Sequence, residues 1–286
     1  MTSSVWVQTR RSLSLHPFAD VNTDRLVISV LVFKRQRVNM AGTAVLVAKL
    51  VGLWKITFIS KNFHWLFLGI SVLGSILKYV NVVPKTYFSD STNILNVYFV
   101  KVSWGWTLLL LGPFLFFFYK KDKYIIFQRL ISLMVATIIW YACTETFNYI
   151  EEITGTCDES APMEDFHEPY TTKGSCRKAG FLWHGFDISG HCFILAYSAL
   201  IIKEEIAPMD VKKPHSILID VLFISLNAIV MIWIWMFICT SVYFHDLLHK
   251  VFGTLCGILC WYLTYKVWYP KPFSPGLPRK IKKQSV

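Results

Sequence analysis

Two histidines of the sequence have the side-chain type and position needed for phosphoryl transfer. His191 ends the stretch WHGFDISGH at the start of an apolar segment, and His245 lies in SVYFHD, between two others. One imidazole can attack phosphorus as a nucleophile while the other protonates the leaving oxygen. A single histidine beside an apolar segment is more often a polar anchor at a membrane boundary. Two histidines at one membrane depth favour a catalytic pair.

The residues before His191 are suited to an anionic substrate. Asp187 or Ser189 can cap the helix that follows, and Gly190 lets a phosphate group approach the backbone. The first N–H groups of that helix and the positive end of its dipole would face the phosphate. We therefore predict that Ser189 and Gly190 bind substrate.

Lys101 is a further candidate for substrate binding. It lies about two turns inside an apolar segment, where a lysine either faces a polar cavity or snorkels to the membrane surface. In a cavity it would reach a phosphate or a carboxylate, with Glu145 as a candidate counter-ion. His249, four residues after His245, is either an orienting partner of that imidazole or an ordinary interfacial residue.

The composition indicates that membrane helices must position these residues. Hydrophobic residues make up 54% of the 286 and charged residues only 16%, whereas soluble domains carry roughly 25% charged residues. The net charge of +11 does not indicate nucleic-acid binding, because the basic residues form short clusters beside apolar runs. Such clusters orient membrane proteins and face anionic lipid headgroups.

The apolar segments predict an all-α, polytopic integral membrane protein with about six transmembrane helices. Residues 1–60 form a basic cytoplasmic region, in which residues 44–60 are an interfacial helix or, alternatively, a further span. Residues 61–270 form the membrane domain, and residues 271–286 form a basic cytoplasmic tail. The predicted spans are Trp65–Val83, Ile94–Tyr119, Ile125–Phe147, Ile188–Ile206, Ile217–Cys239 and Leu247–Trp268.

The distribution of lysine and arginine between the loops predicts the orientation. Most of them collect on one side, which places both termini in the cytoplasm. Residues 84–93, 148–187 and 240–246 then face the lumen, and His191 and His245 share the lumenal boundary. Cys157 and Cys176 of the long loop could pair in an oxidising lumen. A metal site there is disfavoured, because no C-x-x-C spacing is present.

Five stretches of the sequence resemble the fat storage-inducing transmembrane (FIT) family, in matching order between about His64 and Pro278. The resemblance implies an endoplasmic reticulum protein that promotes lipid-droplet formation and maintains lipid and phospholipid metabolism. It also implies an acyl-CoA diphosphatase, a hydrolase that cleaves the CoA phosphoanhydride without metal or cofactor. The stretches are Asn96–Val102, Trp183–His191, Val242–His245, Lys250–Leu255 and Trp268–Pro278.

The same resemblance assigns roles to the two histidines. The family is related to the lipid phosphate phosphatases, in which His191 would match the general acid and His245 the nucleophile that forms a phosphohistidine. The phosphatase motifs are incomplete, since His249 stands where those enzymes have an aspartate and Ile238-Cys239 stands where they have Ser-Arg. Their Lys-x6-Arg-Pro phosphate-binding motif is not evident either. Phosphate binding must therefore be achieved differently, for example through Lys101.

Substrates and partners follow from this interpretation. Fatty acyl-CoA, other lipid phosphates and membrane lipid are expected partners, and nucleic acid is not. The alternative is a protein without enzymatic activity that binds diacylglycerol or triacylglycerol and concentrates it for droplet budding. A transporter is a weaker alternative, because few charged residues lie deep in the spans and no internal repeat is visible.

Overall fold

The computed structural model describes residues 42–158, 170–210 and 215–279. These residues form a helical bundle with one small two-stranded sheet, which confirms the prediction of an all-α polytopic membrane protein. The helices are α1 (42–55), α2 (Thr57–Val80), α3 (Ser103–Phe118), α4 (Lys123–Ile153), α5 (Lys173–Lys178), α6 (Gly190–Ile206), α7 (Ile217–Tyr243) and α8 (Leu247–Trp261). A π-helical turn, Tyr262–Trp268, continues α8, and another, Asn96–Val100, precedes α3.

Several helices begin at residues whose side chains cap them. Asp122, Ser189 and Ser216 each accept a hydrogen bond from a backbone N–H in the first turn of α4, α6 and α7, respectively. Such caps satisfy donors that the helix itself leaves unpaired. The starts of these three helices are therefore encoded locally.

Helix α6 forms the centre of the bundle. Its residues from Cys192 to Lys203 are buried, and it packs against α7 and α8 and also against α2, α3 and α4. Glycines on α8 permit its close approach, since a Cβ at Gly253 or Gly257 would collide with backbone atoms of α6. Helix α6, whose first turn contains His191, is thus surrounded by other helices.

Each of the six predicted spans coincides with a helix. Among the described residues, four helices are long and apolar enough to cross a membrane: Thr57–Val80, Lys123–Ile153, Ile217–Tyr243 and Leu247–Trp268. The other two, α3 and α6, have 16 and 17 residues. Helix α3 is shorter than its predicted span because the chain turns at Lys101 and Val102, after the preceding π-helical turn.

The first span differs from its prediction at its start. Helix α2 begins at Thr57 rather than Trp65, so the last residues of the predicted 44–60 helix belong to α2. Helix α1 ends at residue 55 and contributes Val47 and Val51 to the core. Its Trp54 donates a hydrogen bond of 2.7 Å to Asn227 of α7. This contact fixes α1 on the bundle as a separate helix.

The long loop between α4 and α6 is a small folded unit. Strand β1 (Thr156–Asp158) pairs antiparallel with β2 (Leu182–His184). A disulfide joins Cys157 to Cys176 of α5, which confirms that the two cysteines pair. Glu151, at the end of α4, forms ion pairs with Lys173 and with Arg177 of α5. The unit is thereby attached to α4.

Candidate functional site

His245 lies in the tight turn between α7 and α8 and has a left-handed backbone, with φ of 46°. Such a conformation is uncommon for residues other than glycine and must be held by neighbouring groups. Lys78 of α2 donates hydrogen bonds to the carbonyl oxygen of His245 at 2.6 Å and to Asp246 at 3.2 Å. Lys250 of α8, fully buried, donates to the carbonyl oxygen of Ser241 at 2.7 Å. Two lysines therefore hold both sides of the turn.

The imidazole of His245 is paired with Asp187. Its Nδ1 lies 3.3 Å from Oδ2 of Asp187, whose side chain is half exposed. The hydrogen bond to His245 holds the pKa of Asp187 below its ordinary value, so the carboxylate is ionised at neutral pH. A carboxylate at Nδ1 keeps the proton on that nitrogen. The Nε2 atom of His245 is then free to act as a nucleophile.

The segment that carries Asp187 is positioned by the end of α4. The N–H of Phe186 donates to Thr154 at 2.9 Å, and the indole of Trp183 donates to the carbonyl oxygen of Glu151 at 3.1 Å. A Cβ at Gly185 would collide with that same Glu151 carbonyl, so only glycine fits at this close approach. The folded loop is thus what places a carboxylate beside His245.

His191, in the first turn of α6, is oriented by Asn96. Its Nε2 lies 3.1 Å from Oδ1 of Asn96. The amide orientation is determined by Ser91, because Nδ2 of Asn96 donates to the Ser91 carbonyl oxygen at 2.6 Å. The Oδ1 atom only accepts, so Nε2 of His191 carries the proton. Its Nδ1 is therefore the nitrogen that can exchange a proton with a bound substrate.

The start of α6 offers an anion-binding position between the two histidines. The buried hydroxyl of Ser189 accepts a hydrogen bond from the N–H of Cys192 and so caps the helix. The exposed Gly190 has open space where a Cβ would stand. Among the described residues, the N–H groups of Gly190 and His191 have no acceptor. These two donors can therefore bind a phosphate.

The helix ends that carry the histidines are joined directly. The N–H of Ser189 donates to the carbonyl oxygen of His249 at 3.1 Å, which links α6 to α8. The ring of His249 packs edge-on against Phe186, 4.8 Å between centroids, and its centroid lies 6.5 Å from that of His245. In the described structure His249 thus contributes its backbone, while Asp187 is the hydrogen-bond partner of His245.

Lys101 lies at the same end of the bundle, immediately after the π-helical turn. Its backbone N–H donates to the carbonyl oxygen of Asn96, and its side chain is exposed. No hydrogen bond or ion pair engages its ammonium group within the described residues. His191 lies within electrostatic range of Lys101, His245 and Asp187. The lysine is therefore free to neutralise a bound anion.

The match to a family model covers most of the membrane domain. Residues 84–223 and 209–265 match the model described as fat storage-inducing transmembrane protein. The chain belongs to the fat storage-inducing transmembrane family. No solved structure matches it.

Curated relatives agree with this assignment to the FIT family. The protein named acyl-coenzyme A diphosphatase FITM2 of Danio rerio is 56% identical, over 84% of this chain and 97% of its own length. The human protein of the same name is 46% identical, over 75% of this chain and 85% of its own length. That of Drosophila melanogaster is 34% identical, over 71% of this chain and 56% of its own length.

The five residues predicted to act in this FIT family member all lie at one end of the bundle. They are the two histidines together with Lys101, Ser189 and Gly190. Sequence reasoning missed Asn96 as the partner of His191. It considered Asp187 only as a helix cap, a position that Ser189 occupies. An asparagine within an apolar segment was the one available signal for Asn96.

Proposed function

We propose that this chain is an acyl-CoA diphosphatase, a hydrolase of the phosphoanhydride in fatty acyl-CoA. The observation that carries the proposal is the complementary orientation of two histidines at neighbouring helix ends. His245 presents Nε2 because Asp187 occupies Nδ1, and His191 presents Nδ1 because Asn96 occupies Nε2. One nitrogen of each ring is left for a substrate. These two nitrogens are sufficient to supply one nucleophile and one general acid.

The reaction would proceed in two displacements. Nε2 of His245 attacks one phosphorus of the diphosphate and forms a P–N bond as the P–O bond of the bridging oxygen breaks. His191, when protonated, delivers the Nδ1 proton to the departing phosphate oxygen. Water then attacks the phosphohistidine, with the neutral His191 accepting its proton. The products are acyl 4'-phosphopantetheine and adenosine 3',5'-bisphosphate, and both histidines return to their initial states.

Charge stabilisation in this scheme comes from two sources near the histidines, the start of α6 and Lys101. The N–H groups of Gly190 and His191 bind phosphate oxygens at the positive end of α6. Lys101 approaches from the turn before α3. Lys78 and Lys250 are already engaged with the turn of His245, so they position the nucleophile rather than bind the substrate.

The location we propose is the lumenal face of the endoplasmic reticulum membrane, with both termini in the cytoplasm. The Cys157–Cys176 disulfide supports this orientation, because such bonds persist in oxidising compartments. The acyl chain would lie among the helices and the diphosphate at the lumenal boundary. Consumption of acyl-CoA there would connect the enzyme to lipid-droplet formation and phospholipid synthesis.

Purified full-length protein in detergent tests the activity. Wild type should release adenosine 3',5'-bisphosphate from oleoyl-CoA, and His245→Ala and His191→Ala should reduce the rate at least about 100-fold. His184→Ala is the matched control, since that exposed histidine pairs with Asp158 rather than with either site histidine. Wild-type rates in both site variants would overturn the proposal. In cells, droplet formation that survives both changes would instead favour neutral-lipid binding without catalysis.

A further inference from the structure

Three cysteines that the proposed reaction does not use bring their sulfur atoms together between α4 and α8. The Sγ of Cys143 lies 3.8 Å from the Sγ of Cys260 and 3.8 Å from the Sγ of Cys256. All three sulfur atoms lie within 4.8 Å of one another. Within the described ranges, no other group of three histidine, cysteine or acidic side chains is close enough to share a metal ion.

The spacing of the sulfur atoms suits a tetrahedral cation. With Zn–S bonds of about 2.3 Å, neighbouring sulfurs of a tetrahedral site lie about 3.8 Å apart. Two of the three separations have this value. Cys256 and Cys260 are one turn apart on the same face of α8, and Cys143 faces them from α4. A disulfide would use only two of the three thiols.

One buried polar group of the neighbouring helix α6 has no hydrogen-bond partner in the described structure. Tyr197 of α6 is fully buried, and its hydroxyl has no hydrogen-bond partner among the described residues. It is within electrostatic range of all three cysteines. A buried hydroxyl without a partner is unfavourable. A cation held by thiolates would provide this hydroxyl with a charged partner.

We propose that Cys143, Cys256 and Cys260 supply the protein ligands of a structural zinc site. Three thiol protons are released to water as three S–Zn bonds form, which leaves a net charge of −1. Cuprous ion in the same site would leave −2, which is less favourable among apolar helices. The smaller residual charge therefore favours zinc over cuprous ion.

The zinc site would connect α4 to α8, the helix that follows His245. In the described structure α4 packs mainly against α3 and less against α6. A zinc ion would add a bond to α8. Cys256 lies nine residues after Leu247, the first residue of α8, or about 14 Å along the helix, so the ion does not take part in the reaction. Its effect is on the stability of the bundle.

Metal analysis of the full-length protein, purified without chelators, tests the site. Wild type should contain about one zinc per chain, and the triple Cys143→Ala, Cys256→Ala, Cys260→Ala variant at least about tenfold less. Cys239→Ala is the matched control, because that cysteine is a free thiol of α7 outside the cluster. Removal of zinc should lower the Tm of wild type by roughly 5–10 °C and leave that of the triple variant unchanged.

Three results would overturn the proposal: wild type without zinc, copper in place of zinc, or equal zinc loss in the Cys239→Ala control. A disulfide between two of the three cysteines, found by mass spectrometry without reductant, would also overturn it. If the triple variant does not fold, Cys143→Ala and Cys239→Ala are compared with wild type by Co²⁺ titration. Wild type and Cys239→Ala should show thiolate-to-cobalt absorption, and Cys143→Ala should bind Co²⁺ more weakly. Equal binding by all three would contradict the site.

Discussion

The contact between Asp187 and His245 makes the most specific prediction of this structure. Asp187→Asn keeps the size of the side chain but removes the charge that holds the proton on Nδ1 of His245. A hydrogen bond to a charged group contributes about 1.5–3 kcal/mol, which corresponds to about a 10- to 160-fold lower kcat. The half-exposed carboxylate favours the lower part of this range. KM should change little, because Asp187 does not bind the anion.

A control variant in the same loop and the ionisation of Asp187 allow two further checks of this prediction. Asp158→Asn removes a carboxylate from a similar exposed pair with His184 in the same loop, and its rate should stay within about twofold of wild type. Because the folded pKa of Asp187 is lowered, its contribution is complete above its unfolded pKa of about 4 and is lost as pH falls through the folded value. Protonation of Asp187 itself should therefore not change the effect of Asp187→Asn between pH 5 and 8. A normal kcat with a raised KM would refute the positioning role.

Three further predictions concern stability, each measured as the Tm of purified protein in detergent. Gly253→Ala places a methyl group against the backbone of α6 and should cost about 1–3 kcal/mol, whereas Gly112→Ala, in open space, should not destabilise. Arg129→Leu removes the ionic partner of the buried Glu205 carboxylate and should cost about 3–5 kcal/mol, which a second change, Glu205→Leu, should restore in part, because Arg129 also donates to the carbonyl oxygens of Pro275 and Gly276. Cys157→Ser opens a loop closed over 19 residues and should cost about 3 kcal/mol, with no effect of reductant on the variant. A wild-type Tm in Gly253→Ala, Arg129→Leu or Cys157→Ser would contradict the corresponding prediction.

The parts of the fold that depend on local sequence were predictable. Spans are recognised by about 20 apolar residues, and breakers separate them, so all six segments were found. The two histidines lie beside span ends, where the orientation rule alone brings them to one face. The disulfide was left open because sequence does not show whether two thiols meet. The fold of the long loop decides that in favour of a bond.

The contacts that orient the histidines could not be predicted because they join distant segments. Asp187 precedes His245 by 58 residues, and Asn96 precedes His191 by 95. Which side chains face each other depends on how each helix is rotated about its axis and packed. Helices α6 and α7 are apolar on nearly all sides, so their sequences do not reveal which face packs inward. At the position where the phosphatase motif has an aspartate, this sequence has His249. The fold supplies that carboxylate from another loop.

The most direct test of the proposed mechanism is to locate the phosphoryl group during turnover. Acyl-CoA labelled with ³²P in the diphosphate is mixed with the purified protein, the reaction is stopped under alkaline conditions, and the modified peptide is sequenced by mass spectrometry. We expect label on His245 and none in the His245→Ala variant. Label on His191, or cleavage at the wild-type rate by His245→Ala, would contradict it.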